Sequence, residues 1–132
     1  MNVLLDASLP PRMARALHHL ASPAHRVEHV RDVIGNDATD AHLADHLRCH
    51  PDTVLIGIDL DTATQPHRVQ ALLAWNIPVM LLHADWLSLN AWDQAWHLAA
   101  GWRMIIKKVA AYPGPAVYLV PLSEAGRIRK IA

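Results

Sequence analysis

The sequence predicts an α/β fold in which helices cover both faces of a mainly parallel sheet. Short apolar runs alternate with segments whose apolar residues recur at helical spacing. The run from Val54 to Ile58 is apolar throughout, which is typical of a strand covered on both faces. A length of 132 residues suits one domain with one core. We therefore expect a three-layer, Rossmann-like sandwich, with residues 1–132 forming a single domain.

The first half of the chain is expected to form a strand, a helix, a second strand and a second helix. Ser8 precedes two prolines at the start of the first helix and is its expected cap. Thr39 or Asp37 is the expected cap of the second helix, which Pro51 ends. The predicted strands are residues 3–5 and 26–30. The first predicted helix runs from about residue 10 to 20, and the second runs from its cap at Thr39 or Asp37 to about residue 50.

The second half repeats the alternation and closes with a hairpin. Its predicted strands are residues 54–58, 78–82 and 117–122, and its predicted helices are about 65–75 and 87–112. Glu124 to Gly126 can turn the chain before an alternating segment at 127–131. Four of the five tryptophans lie between Trp86 and Trp102, and we expect them to pack in the core. Trp92 and Trp96 share a helix face, so an interface is the alternative for that pair.

Composition and charge exclude several classes of protein. The formal net charge is zero, so no global basic field indicates a nucleic-acid-binding protein. The single cysteine, Cys49, excludes a disulfide framework and fits a reducing compartment. We expect neither a signal peptide nor a membrane span, because the apolar run before Asp6 has only three residues and the longest apolar stretch, 77–82, is of strand length. We expect a cytoplasmic protein that makes no membrane contact.

Four aspartates are the candidate functional residues. Asp6 directly follows the first strand, and Asp59 directly follows the third, with Asp61 two residues later. If the strand order is 2-1-3-4, Asp6 and Asp59 meet at the switch point, where ligands of open α/β sheets bind. Asp40, in the first turn of the second helix, completes the group if that helix starts at the same edge.

Clustered carboxylates indicate a cation site, because a proton or a cation must neutralise their repulsion. Oxygen ligands select Mg²⁺ or Mn²⁺ over zinc. Such an ion activates water and neutralises charge on a phosphodiester. The alternative is that each aspartate only caps a helix or ends a strand.

Three segments resemble the small PIN-like domains related to VapC toxins. The segment from Leu4 to Pro11 is similar to their "LLDENLPP" start, and Asp40 to Ala44 resembles their "sDeeil" helix start. Val54 to Asp61 is similar to their "vLvTrDkDF" strand. The order and approximate spacing agree over about residues 1–85. The tryptophan-rich stretch and final hairpin resemble, less specifically, the tail of one VapC-related subgroup.

The resemblance implies a PIN-type fold and metal-dependent hydrolysis of RNA. The toxin of a toxin–antitoxin pair is one role that the resemblance implies for such an enzyme. Carried over by position, the acidic metal ligands of the family fall on Asp6, Asp40 and Asp59. Asp61 is the second acid of the last motif, so these four aspartates are the expected catalytic residues.

The chain departs from the family pattern at five positions. The Glu and Asn of the first motif are replaced by Ala7 and Ser8, and the Thr-Arg pair by Gly57 and Ile58. The aromatic residue after the late acids is Thr62. A missing carboxylate weakens a cation site, and a missing arginine removes a phosphate contact. A degenerate PIN-like module that binds a protein partner without catalysis is therefore the main alternative, and a receiver-like phosphoacceptor at Asp59 is a weaker one.

Basic and histidine residues add further candidates. Arg12, Arg15 and Arg68 are expected near the rim of the pocket, where they could hold phosphates. Lys107, Lys108, Arg127, Arg129 and Lys130 make the C-terminal part basic, so RNA or an antitoxin could bind there. His42, His46 and His50 share one helix face, for which we expect solvation rather than a transition metal. A homodimer is the other expected partner.

Overall fold

The computed structural model describes residues 1–37, 39–122 and 128–132. Its strands are Asn2–Leu5 (β1), Arg26–His29 (β2), Thr53–Ile58 (β3), Pro78–Leu82 (β4), Ala116–Val120 (β5) and Arg129–Lys130 (β6). Its α-helices are Pro11–Ala21 (α1), Val30–Ile34 (α2), Asp40–Cys49 (α3), Pro66–Leu73 (α4) and Ala91–Ala111 (α5). Short 3₁₀ helices form at Thr62–Thr64 and Ala84–Ser88.

The six strands form one sheet in the order β2-β1-β3-β4-β5-β6. The first five pair in parallel, and β6 pairs with β5 in antiparallel fashion. This confirms the predicted order of the first four strands and the predicted final pair. The predicted turn at Glu124 to Gly126, and Arg127 after it, lie outside the described residues.

Helices cover both faces of the sheet, as predicted for a three-layer sandwich. Val3, Leu5 and Ile56 point into the core formed with α1 and α5. Leu4 and Leu55, on the same strands, point into the core formed with α3 and α4. All six residues of β3 are buried, because this strand has a neighbour on each side and helices on both faces. None of the described helices has both the length and the apolar character needed to cross a bilayer.

Two details at helix starts differ from the expectations. Pro10 lies in the N-cap position of α1, no side chain caps this helix, and the prediction for Ser8 is wrong. The short α2 was not predicted, because five residues are too few to show a helical period. Of the two caps proposed for α3, Thr39 is the correct one: its hydroxyl accepts the His42 N–H at 3.3 Å, and the His42 ring accepts the Thr39 N–H.

The tryptophans differ widely in burial, and Trp75 and Trp102 are half-buried. Trp86 is only 2% exposed, whereas Trp92 and Trp96 are 86% and 59% exposed. The expectation that this pair packs in the core is therefore wrong. The buried residues of α5 include Leu98 and Ile105, and a period of 3.6 residues places Trp92 and Trp96 on the opposite side of the helix.

Candidate functional site

A cleft of about 610 Å³ lies between α3 and α4 on one face of the sheet. Its mouth is at the carboxyl edge of the strands and contains Asp6, Asp40 and Arg68. The mouth therefore lies at the β1/β3 boundary, where the strand order reverses. Three of the residues predicted from the sequence meet here, and the start of α3 lies on the side of the sheet that the prediction required.

The Asp6 carboxylate is held by Ser8 and is partly enclosed by the protein. Its Oδ1 accepts the Ser8 backbone N–H at 2.8 Å and also the Ser8 hydroxyl. The same hydroxyl oxygen accepts the Ile58 N–H at 2.9 Å. Ser8, which replaces the family's asparagine, therefore ties the first acid to the end of β3.

Gly57 provides the space that the Asp6 side chain occupies. A Cβ atom at position 57 would lie 1.9 Å from Asp6 Oδ2 and 2.3 Å from its Cγ. Both distances are far shorter than any non-bonded contact, so the carboxylate lies directly across the backbone of β3. The replacement of the family's threonine by glycine therefore affects the first acid rather than only the rim of the pocket.

Burial raises the pKa of Asp6 above the usual carboxyl range, because a charge in a poorly solvated site is destabilised. The two hydrogen bonds from Ser8, and then the nearby His29, act in the opposite direction. A carboxylate in this position is favoured by any cation that binds beside it.

His29 is a buried residue beside this site that the sequence analysis did not single out. Its Nε2 lies 2.7 Å from the Leu9 carbonyl oxygen, and its Nδ1 accepts the Arg31 N–H at 3.0 Å. Because Nδ1 accepts, the proton is on Nε2, which donates to Leu9. Side chains alternate along β2, so His29 lies on the same inward side as Val27. This alternation was the sequence feature that could have predicted the burial of His29.

The other two aspartates have different surroundings. Asp59 is buried, and its Oδ1 accepts the N–H groups of Thr62 at 2.6 Å and Ala63 at 3.2 Å. It therefore caps the 3₁₀ helix that follows β3. Asp61 is exposed in a left-handed conformation with φ of 68°, and its carbonyl oxygen accepts the Thr64 hydroxyl. Neither carboxylate lines the cleft.

The three arginines predicted to hold phosphates lie in different places. Arg68 lines the cleft, and its Nη1 donates a hydrogen bond to the Leu60 carbonyl oxygen at 3.3 Å. Arg15 instead pairs with Asp32 at 3.3 Å, which joins α1 to α2. Arg12 is exposed on α1, the helix that packs on the other face of the sheet. Arg68 is therefore the cation placed to meet an anion at the mouth.

The donor set at the mouth fits a sparsely coordinated hard cation. Within residues 1–37, 39–122 and 128–132, no group of three or more His, Cys, Asp or Glu side chains is arranged to hold a metal ion. Mg²⁺, however, is often held by one or two carboxylates, with water and substrate phosphate supplying the rest. Asp6 and Asp40 meet that requirement, and the absence of His and Cys among the lining residues disfavours zinc.

His42 and His46 on α3, and His50 at its C-cap, take part in contacts of their own. His42 belongs to the capping box, and the rings of His46 and His50 stack with centroids 4.2 Å apart. Burial, and then the neighbouring His50, lower the pKa of His46 below its usual value. His50 Nδ1 lies 2.8 Å from the His46 carbonyl oxygen. These contacts account for the positions of the rings without a metal.

Comparison with known proteins identifies the family of the chain. A family model described as a PIN-like domain matches residues 1–84, which is more than half of the 132 residues. The matched segment contains β1 to β4 and both helices that border the cleft. No curated protein and no solved structure gives a significant match to the chain. The chain therefore belongs to the PIN-like domain family, whose fold is of the nuclease type.

Proposed function

We propose that the protein is a metal-dependent nuclease that hydrolyses phosphodiester bonds in RNA. The observation that carries the proposal is a partly enclosed carboxylate, Asp6, which shares one cleft with Asp40 and Arg68. This cleft opens at the switch point of a PIN-like sheet. The same location in other open α/β folds holds ligands.

The proposed roles follow from the surroundings of each side chain. Asp6 and Asp40 bind Mg²⁺ or Mn²⁺ at the mouth of the cleft. Asp59 as a third ligand and Asp61 as an assisting acid stay predictions, because neither carboxylate lines the cleft. Such a cation supplies charge neutralisation at phosphate and an activated water. Ser8 orients the Asp6 carboxylate through its two hydrogen bonds.

Arg68 binds the phosphate of the substrate at the mouth, because its guanidinium offers several donors to an oxyanion. Its hydrogen bond to the Leu60 carbonyl oxygen uses one of these donors and fixes the direction of the side chain. Arg12 and Arg15 stay predictions as substrate-binding residues. Both are on α1, and Arg15 is already paired with Asp32.

The wider biological hypothesis is a toxin that acts on RNA in the cytoplasm and is restrained by an antitoxin protein. Trp92 and Trp96 support a contact with a protein, since exposed tryptophans in solvent are uncommon and tryptophan is enriched in interfaces. The contact is made with the antitoxin or with a second copy of the chain.

The direct test measures Mn²⁺ binding by calorimetry and cleavage of an RNA oligonucleotide by the same preparations. We expect Asp6→Asn and Asp40→Asn each to lower the cleavage rate at least about 100-fold and to weaken Mn²⁺ binding. Asp45→Asn is the matched control, because Asp45 is an exposed acid on the same helix as Asp40 and pairs with Arg48. Cleavage that persists at the native rate in Asp6→Asn contradicts the proposal.

The second candidate is a PIN-like binding module without catalysis. The observations that favour it are the engagement of Asp59 in a helix cap and the exposure of Trp92 and Trp96. In that case the native protein binds no Mn²⁺ and cleaves no RNA. It nevertheless forms a stable complex with a protein partner, and replacement of Trp92 and Trp96 by alanine abolishes that complex.

A further inference from the structure

The walls of the cleft change from charged to apolar with distance from its mouth. Arg68 and Leu72 on α4 line one side of the cleft, and Trp75, just after the end of this helix, lines it as well. On α3, Asp40 at the mouth is followed three residues later by Leu43, which also lines the cleft. Both walls therefore place their charge at the carboxyl edge of the sheet and their apolar side chains further in.

The floor of the cleft follows the same order. Strand β3 contributes Gly57, beneath the Asp6 carboxylate, and then Leu55. Strand β4 contributes Leu81 and Val79, which pair in register with those two residues. Leu55, Leu81 and Val79 belong to the buried α3/α4 core, so the accessible apolar surface of the interior comes from the partly buried Leu72 and Trp75. The interior is therefore suited to a flat, weakly hydrated group.

An aromatic ring forms the inner end of the cleft. Trp75 follows α4 and lines both this cleft and a separate cavity of about 290 Å³ near the end of α3. It is half-buried and packs against the α3/α4 core. The next residue, Asn76, has a left-handed φ of 62°, which turns the chain back into the sheet. Trp75 therefore stands as a wall between the two cavities.

We propose that the apolar interior of the cleft is a subsite for one unpaired nucleobase, with Trp75 as its aromatic wall. This inference rests on the proposed function and names the part of the substrate that the interior binds. The phosphate next to that base lies at the mouth, between Arg68 and the acids. A base stacked inside a duplex cannot reach the interior, so the subsite takes a base from a loop or a single strand. Stacking of a base on an aromatic side chain contributes about 1–3 kcal/mol.

The test compares adenosine 5′-monophosphate with ribose 5-phosphate, which lacks the base, in NMR titrations of the metal-free protein. We expect the nucleotide to bind at least about tenfold more tightly and to shift the indole N–H resonance of Trp75. The spectrum of Trp75→Leu assigns that resonance by its absence, and this variant is expected to bind the nucleotide about tenfold more weakly.

A second variant tests the subsite by filling it instead of removing its aromatic wall. Leu72→Trp places an indole inside the cleft and is expected to abolish nucleotide binding. Gln70→Trp, on the exposed side of the same helix, is the matched control and keeps native affinity. Equal affinities for the nucleotide and the sugar phosphate overturn the proposal. Native nucleotide affinity in a folded Leu72→Trp variant also overturns it, whether or not Trp75→Leu folds.

Asp6→Asn separates this inference from the nuclease itself. Nucleotide binding through the base, in a protein that neither binds Mn²⁺ nor cleaves RNA, supports the subsite and removes the proposed function. Cleavage that depends on Mn²⁺ and on Asp6, without preference for the nucleotide over the sugar phosphate, overturns only the subsite.

Discussion

At the scale of single residues, Asp6 determines the chemistry that the cleft can perform. Its position after β1 follows from the sequence, and its meeting with Asp40 was also expected from the topology. The cap that Asp59 makes was an open alternative, because side-chain torsions and not strand order decide where a carboxylate points. Gly57 was recognised as a departure, but its reason is a contact across two strands, which no local pattern reveals.

The raised pKa of Asp6 predicts a stability difference that depends on pH. A carboxyl group whose pKa is higher in the folded than in the unfolded state stabilises folding when it is protonated. That contribution is complete below the unfolded pKa and disappears as the pH rises through the folded pKa. At neutral pH the metal-free protein therefore carries a destabilising charge. Asp6→Asn, which is neutral at every pH, should raise the melting temperature at pH 7 by a few degrees, on the order of 1 kcal/mol.

Thermal unfolding of metal-free protein between pH 4 and pH 8 tests this prediction. The advantage of Asp6→Asn should shrink as the pH falls, because the native carboxyl then becomes protonated as well. Asp45→Asn is the control: it replaces an exposed acid outside the cleft, so its stability should stay within about 0.5 kcal/mol of the native protein. If Asp6→Asn is less stable than the native protein at pH 7, the conclusion that burial destabilises the charged Asp6 carboxylate is wrong.

Gly57→Ala is expected to displace the Asp6 carboxylate and to destabilise the protein by about 1–3 kcal/mol. Mn²⁺ affinity should fall with it. In an Asp6→Ala background the cost should largely disappear, since the atoms that clash are absent, and a double-mutant cycle of urea unfolding measures this coupling. Gly101→Ala is the control: nothing lies within 4 Å of its Cβ position on α5, so a gain of about 0.5–1 kcal/mol is expected. Equal costs for Gly57→Ala in both backgrounds would refute the contact.

At the scale of elements, the alternation of apolar runs and helical periods predicted most of the observed order. The long helices and buried strands were found because each extends over enough residues to show its period. Helix α2 and the 3₁₀ helices at 62–64 and 84–88 were not predicted, because one or two turns contain too few residues to show a helical period. Their starts instead have side-chain acceptors for backbone N–H groups, which His29, Asp59 and His83 provide.

His29 connects three elements, and its replacement should loosen them together. His29→Leu leaves the buried Leu9 carbonyl and the Arg31 N–H without their side-chain partner. We expect a loss of about 2–4 kcal/mol in the free energy of unfolding, measured in urea, because each buried polar group left unpaired costs about 1–3 kcal/mol. His19→Leu, at an exposed position of α1, should stay within about 0.5 kcal/mol of the native protein. A cost for His29→Leu no larger than that of the control rules out this structural role.

At the scale of the whole molecule, the two faces of the sheet carry different surfaces. The cleft lies on the α3/α4 face, whereas the exposed tryptophans belong to α5 on the opposite face. The buried periodicity of Leu98, Ile105 and Val109 contained the information needed to place Trp92 and Trp96 outside. Their apolar character outweighed that register in the sequence analysis, and so the pair was assigned to the core.

The exposed pair should contribute little to folding. We expect the double variant Trp92→Glu/Trp96→Glu to change the free energy of unfolding by no more than about 0.5 kcal/mol. Trp86→Ala, at a position 2% exposed, should cost about 3–5 kcal/mol. Urea titrations of the two variants give the comparison. A large cost for the exposed pair would mean that these rings support the fold rather than a contact with a partner.

The contact between Asp6 and Gly57 means that these two positions cannot vary independently. A chain with threonine at position 57, as in the PIN-like pattern, has no room for the aspartate conformation found here. The side chain at position 57 thus limits where the Asp6 carboxylate can lie, and a substitution at either position changes which side chains fit at the other.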